Sequence, residues 1–143
     1  MQKLKIYFGH SKELDYLKYY EQIEQANSLK DYEIILPHKI DKMHLNGIEF
    51  YNKDNIDLFI AEVSFKATGL GIELGVSYAS EIPIVCFYKK GITPNNSLKS
   101  VTTIFIEYEN LEDFIIKLSN FLTIYLNQNK DNYNARVRDK KES

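Results

Sequence analysis

The chain has a single cysteine, Cys86, so no disulfide framework can form within it. Its setting, Ile84-Val85-Cys86-Phe87-Tyr88, predicts a buried thiol, which suits the reducing cytoplasm, the compartment we expect. An excess of one charge is also missing. Lys+Arg 18 against Asp+Glu 20, with a net charge of -2 and a pI near 5.9, gives no footprint for nucleic acid or an anionic membrane surface. No apolar stretch approaches the roughly 20 residues of a membrane span. Met1-Gln2-Lys3-Leu4-Lys5 leads only into a short apolar run before Gly9, so no secretion or anchoring signal is expected. Histidines occur only at 10, 38 and 44, without paired carboxylates at ligand spacing, so neither a metal nor another cofactor is expected. Internal repeats are absent.

What is present reads as one globular domain. Hydrophobic residues at 44% with Tyr 11 and Phe 8 argue against disorder over most of the 143 residues. A chain of this length buries about 68–70% of its unfolded surface. Four continuous apolar runs, Leu4 to Phe8, Tyr32 to Leu36, Ile56 to Val63 and Ile82 to Tyr88, read as strands of a parallel sheet covered on both faces. A fifth, Thr102 to Tyr108, is more mixed and fits an edge. Between them, Ser11 is placed to cap a helix with Tyr16, Leu17, Tyr20 and Ile23 on one face. Asn110 is placed to cap another carrying Leu111, Phe114, Ile115, Leu118, Leu122 and Tyr125.

The alternation predicts an α/β fold: a flavodoxin-like or Rossmann-like doubly wound five-stranded parallel sheet, order 2-1-3-4-5, with helices on both faces. The domain is set at 1–128. The sequence from Asn127 onward is almost wholly polar or charged, and 129–143 is expected to be a disordered tail. The polar segment Pro37 to Asn55, with a short helical stretch around Leu45 to Tyr51, is expected to form a lid or wall. In such a sheet ligands bind outside the carboxyl ends of the strands, here Gly9-His10-Ser11, Pro37-His38, Ser64 to Gly71 and Lys89-Lys90-Gly91.

One stretch carries the strongest chemical signal. Gly69-Leu70-Gly71-Ile72-Glu73-Leu74-Gly75 packs three of the six glycines around a carboxylate directly after a predicted strand. It reads as a glycine-rich turn feeding a helix whose first turn holds Glu73, where the helix dipole would lower the carboxylate's pKa.

With Ile6-Tyr7-Phe8-Gly9 ending the first strand and Ala61-Glu62-Val63-Ser64 ending the third, this stretch resembles the nucleoside 2-deoxyribosyltransferase family and the related 2'-deoxynucleoside 5'-monophosphate N-glycosidases. The resemblance covers roughly residues 4 to 90. It implies that Glu73 is a nucleophile attacking the anomeric carbon of deoxyribose, forming a covalent glycosyl ester as the base leaves. It also implies that Tyr7 orients that carboxylate, and that Glu49, where the family has Asp, handles a proton. By the same resemblance Gly9, His10 and Ser11 gather sugar or phosphate oxygens and His38 approaches the base. Ser64, Thr68, Gly69 and Gly71 complete the substrate-binding set.

Two positions depart from the pattern. Ala67 replaces the transferase Asp or the glycosidase Ser, and Glu13 replaces a phosphate-binding Arg. These substitutions lean toward an unphosphorylated nucleoside and a transferase passing deoxyribose to a second nucleobase. Hydrolysis of a deoxynucleoside or its 5'-monophosphate is the alternative, and a non-catalytic nucleotide-binding sensor is a third reading of another class. The expected partners are a small nucleoside or nucleotide substrate and a second copy of the chain, since tyrosine-rich helix faces offer more apolar surface than one core needs. No nucleic acid or membrane partner is expected.

Overall fold

The computed structural model describes residues 3–39 and 47–129. Five parallel strands, β1 (Leu4–His10), β2 (Tyr32–Ile35), β3 (Leu58–Glu62), β4 (Ile84–Lys89) and β5 (Phe105–Tyr108), form one sheet in the order β2-β1-β3-β4-β5. This is the expected topology, with β5 at an edge. Among the described residues three α-helices flank the sheet: α1 (Tyr16–Gln25) leads from β1 towards β2, α2 (Thr68–Ala79) from β3 to β4, and α3 (Leu111–Gln128) follows β5. None of the described helices is long and apolar enough to cross a membrane. Of the expected tail, 129–143, Asn129 is the C-cap of α3 and 130–143 lie outside the described residues; Asn127 and Gln128 belong to α3.

Side chains alternate across each strand, so the sheet carries two cores. Ile6, Phe8, Leu58, Ile60, Val85 and Phe87 pack with Tyr20 and Ile23 of α1 and Phe114, Leu118 and Leu122 of α3. On the other face Tyr7, Phe59, Ala61, Ile84 and Cys86 pack with Leu70 and Leu74 of α2. Burial pushes the Cys86 thiol up to about 12, so it stays protonated and inert.

Three local expectations need correction. Leu17 is exposed, because α1 buries only Tyr19, Tyr20 and Ile23. Ser11 does not cap α1: its hydroxyl accepts from the Glu13 amide at 3.0 Å, closing a tight turn that delays the helix to Tyr16. The glycines of the GLGIELG stretch form no turn. They lie inside α2, which begins at Thr68, so Glu73 sits in its second turn. Asn110 caps α3 as expected, accepting from the Asp113 amide at 2.8 Å.

Candidate active site

A cavity of about 600 Å³ opens at the carboxyl ends of β1 and β2 and against the N-terminal half of α2. That is ample for a small organic ligand. Its walls bring together Tyr7, His10, Ser11, His38, Gly69 and Glu73 from the predicted set. They also include Lys12, Pro37, Tyr51 and Leu70, which the sequence reading did not assign, and Glu13, which stands where the resembled glycosidases have a phosphate-binding Arg.

The floor is a carboxylate held by two phenols. Tyr7 Oη donates to Glu73 Oε1 at 2.9 Å, Tyr51 Oη donates to the same oxygen at 2.9 Å, and the two hydroxyls lie 2.9 Å apart. Tyr7 is fixed in the middle of β1, in register with Ile35 and Phe59. Tyr51 follows a 3-10 turn at Gly47–Phe50. Asn52 sets its backbone by accepting from the amides of Asp54 at 2.9 Å and Asn55 at 3.2 Å. Asp57 then ties the segment to β1, its carboxylate accepting from the Lys5 amide at 2.8 Å. The expected wall over the site is thus present in its described part, and Tyr51 is the side chain it delivers.

Burial raises the pKa of Glu73 above the ordinary carboxylate value, while the hydrogen bonds from Tyr51 and Tyr7 oppose that shift. The expected lowering by the helix N-terminus is not found, because that effect falls off within the first turn. Burial raises both phenols further, Tyr7 most, with the Glu73 charge adding to each, so both stay protonated as donors.

The opposite wall is built of imidazole and phenol. His10 Nδ1 lies 2.9 Å from the Ser11 carbonyl, which can only accept, and His10 Nε2 lies 2.6 Å from Tyr20 Oη. Burial lowers the His10 pKa, with the Ser11 carbonyl opposing it. The ring is therefore neutral, with its proton on Nδ1 and with Nε2 accepting from Tyr20. Both nitrogens are committed, so His10 offers a ligand only its ring. Tyr16 stacks on that ring at 4.9 Å, and the His38 ring lies 5.2 Å from it. Lys12, exposed beside Ser11, brings a cation to this wall.

Other predicted residues are placed elsewhere. Glu49 is exposed and is not among the residues lining the cavity; its carbonyl accepts from Asn52 Nδ2 at 2.9 Å. Gly9 lies beneath the cavity, where a Cβ would come within 2.6 Å of the Phe59 ring. Gly71 and Ser64 face a separate cavity of about 240 Å³ on the other side of Ala67 and Leu70, and Thr68 is exposed at the start of α2. Ala67 itself lines both cavities.

Ser64 instead serves Glu62, which is 1% exposed. Its hydroxyl and amide donate to Glu62 at 2.9 and 2.7 Å, and Tyr108, bonded to Tyr19 at 2.7 Å, donates to the same carboxylate. Among the described residues no group of three or more His, Cys, Asp or Glu side chains could hold a metal ion.

The chain matches no family model, and no curated protein matches it. Among solved structures it is similar to the CMP N-glycosidase BcmB of Clostridium botulinum, with 18% identity, a TM-score of 0.56, and coverage of 80% of this chain and 97% of that one. It is also similar to a conserved protein of Enterococcus faecalis V583, with 23% identity, a TM-score of 0.49, and coverage of 82% and 88%. At this identity the likeness to BcmB is one of fold.

Proposed function

We propose that this protein cleaves the N-glycosidic bond of a nucleoside or nucleotide, with Glu73 as the nucleophile. The observation that carries the reading is the Glu73 carboxylate on the cavity floor, held by Tyr7 and Tyr51 at 2.9 Å each. Glu73 attacks the anomeric carbon as the C–N bond breaks, the electron pair leaving with the base, which takes up a proton. The glycosyl ester is then opened by an acceptor that attacks C1' from the face the base has left, opposite the carboxylate, and gives up a proton, the two-step logic of retaining glycoside chemistry. The sharing of a fold with a CMP N-glycosidase supports this reading.

The acceptor in the first reading is a second nucleobase and the sugar a deoxyribose, as the GLGIELG resemblance implies. A second reading is hydrolysis of a nucleoside monophosphate: Lys12 and the Ser11 turn on one wall of the cavity offer a cation and a turn to a phosphate, while Glu13 on the same wall opposes it with a carboxylate. Incubation with nucleosides and their 5'-monophosphates, with and without free adenine, followed by chromatography of the products, tests both. A new nucleoside formed only with adenine means transfer, and free base alone means hydrolysis. Binding without release of base from any compound refutes the enzymatic reading in favour of a sensor. Self-association belongs to the proposal as well, since Ile72 and Tyr78 are exposed on α2 beside Gly71 and Gly75; a monomer in sedimentation at micromolar concentration would oppose it.

A further inference from the structure

Three oxygens, Tyr7 Oη, Tyr51 Oη and Glu73 Oε1, lie 2.9 Å from one another, but two neutral phenols hold only two protons for the three contacts. Phenols in this burial do not ionise, and a carboxylate is a better acceptor than a phenol oxygen. Both protons therefore point at Oε1, and the contact between the hydroxyls carries none. A carboxylate oxygen has two in-plane lone-pair sites, so Oε1 is filled. Oε2 receives no hydrogen bond from any described residue, although Glu73 lines the cavity.

We infer that Glu73 attacks through Oε2, with Tyr51 a second positioning residue that, together with Tyr7, clamps Oε1 and fixes the free oxygen toward the substrate. The inference rests on the proposed N-glycosidic cleavage. The bond formed is Oε2–C1' and the bond broken is C1'–N. The pair of electrons in the broken bond leaves on the base nitrogen, which is protonated, and the carboxylate charge is consumed in the ester. Oε1 becomes the ester carbonyl and keeps both phenols. When the acceptor attacks C1', it releases to solvent a proton that balances the one taken up by the departing base, the Oε2–C1' pair returns to the carboxylate, and the same two hydrogen bonds strengthen as its charge reappears. Tyr51 thus acts in both steps through Glu73.

The position was not visible in the sequence because residues 49 and 51 point to different sides of one turn. The acidic side chain that family spacing singles out is exposed, and the phenol two residues later reaches the carboxylate.

Tyr51→Phe and Tyr7→Phe test the inference. Each removes one of the two donors that hold the carboxylate in place, and each is expected to lower kcat/KM about tenfold through lost orientation of the attacking oxygen. Each variant should also move the acid limb of the pH profile to higher pH, because the carboxylate loses a group that favours its charge. A merely structural role for Tyr51 would leave the limb in place. Titration of ¹³C-labelled Glu73 by NMR, identified by its loss in Glu73→Gln, reads the same upward shift without turnover. An unshifted titration in Tyr51→Phe overturns the clamp even if Glu73 proves to be the nucleophile, whereas a shifted titration in a protein that releases no base upholds the clamp and refutes the proposed reaction. A crystal structure of the glycosyl-enzyme trapped with a 2-fluoro-substituted nucleoside should show the sugar on Oε2; a sugar on the phenol-bound oxygen would overturn the assignment.

Discussion

Replacing Gly9 by alanine would add one methyl group beneath the site. The new Cβ would lie 2.5 and 2.6 Å from Cε1 and Cζ of Phe59 and 2.9 Å from Cδ1 of Leu70, against the roughly 3.5–4.0 Å at which carbons rest in contact. The Leu70 methyl can swing aside, but Phe59 is fully buried with its ring 4.9 Å from that of Tyr7 and 6.4 Å from that of Tyr51. A shift of about 1 Å in that ring therefore falls on the two phenols. Overpacking of this kind costs about 1–3 kcal/mol, and at about 3 °C per kcal/mol the midpoint should drop by about 3–9 °C. Thermal unfolding followed by circular dichroism measures the loss, and turnover should fall with it as the phenols move off Glu73. In a Phe59→Leu background the same substitution should cost at least about 1 kcal/mol less, because the clashing ring atoms are gone. A Gly9→Ala protein that melts within about 1 °C of wild type would refute the reasoning.

Three further outcomes follow from the site and its supports. Glu62→Gln places an NH₂ group against donors on Ser64 or Tyr108, so thermal unfolding should show a loss of about 1–3 kcal/mol, and an unchanged midpoint would refute the buried carboxylate's role. Because burial raises the Glu73 pKa above its unfolded value, the associated stability is full below the unfolded pKa and is lost as pH rises through the folded one. Glu73→Gln should therefore melt above wild type at pH 7–8, with the gap closing near pH 4; a gap of constant size would contradict the sign. Glu49→Gln should leave turnover within about twofold, since the side chain is exposed and outside the cavity, and a tenfold loss in steady-state rate would return it to the site.

The sheet was legible because its strands are continuous apolar runs separated by helical periods, and hydrophobic burial on both faces leaves such runs few alternatives. Strand ends were less so: Ile56 and Asp57 read as strand yet precede β3, where the Asp57 carboxylate takes the Lys5 amide. Glu73 and Tyr7 stood out by their surroundings, and the structure joins them. The glycines misled. A run of Gly69, Gly71 and Gly75 reads as a turn by propensity, but packing of Leu70 and Leu74 against the sheet carries the helix through them. Tyr51 was hidden because its orientation is set by the Asn52 turn and the 3-10 segment before it, which have no periodicity. The only hint was Phe50-Tyr51, an aromatic pair in an otherwise polar stretch.

The role of Glu73 as nucleophile is tested most directly by the turnover of Glu73→Gln, which keeps the side chain's shape and an oxygen for both phenols but removes the charge. With a substrate found in the nucleoside and nucleotide panel, kcat/KM should fall on the order of 10³-fold or more while the variant unfolds at or above the wild-type temperature. A folded Glu73→Gln protein that releases base at the wild-type rate would contradict the account.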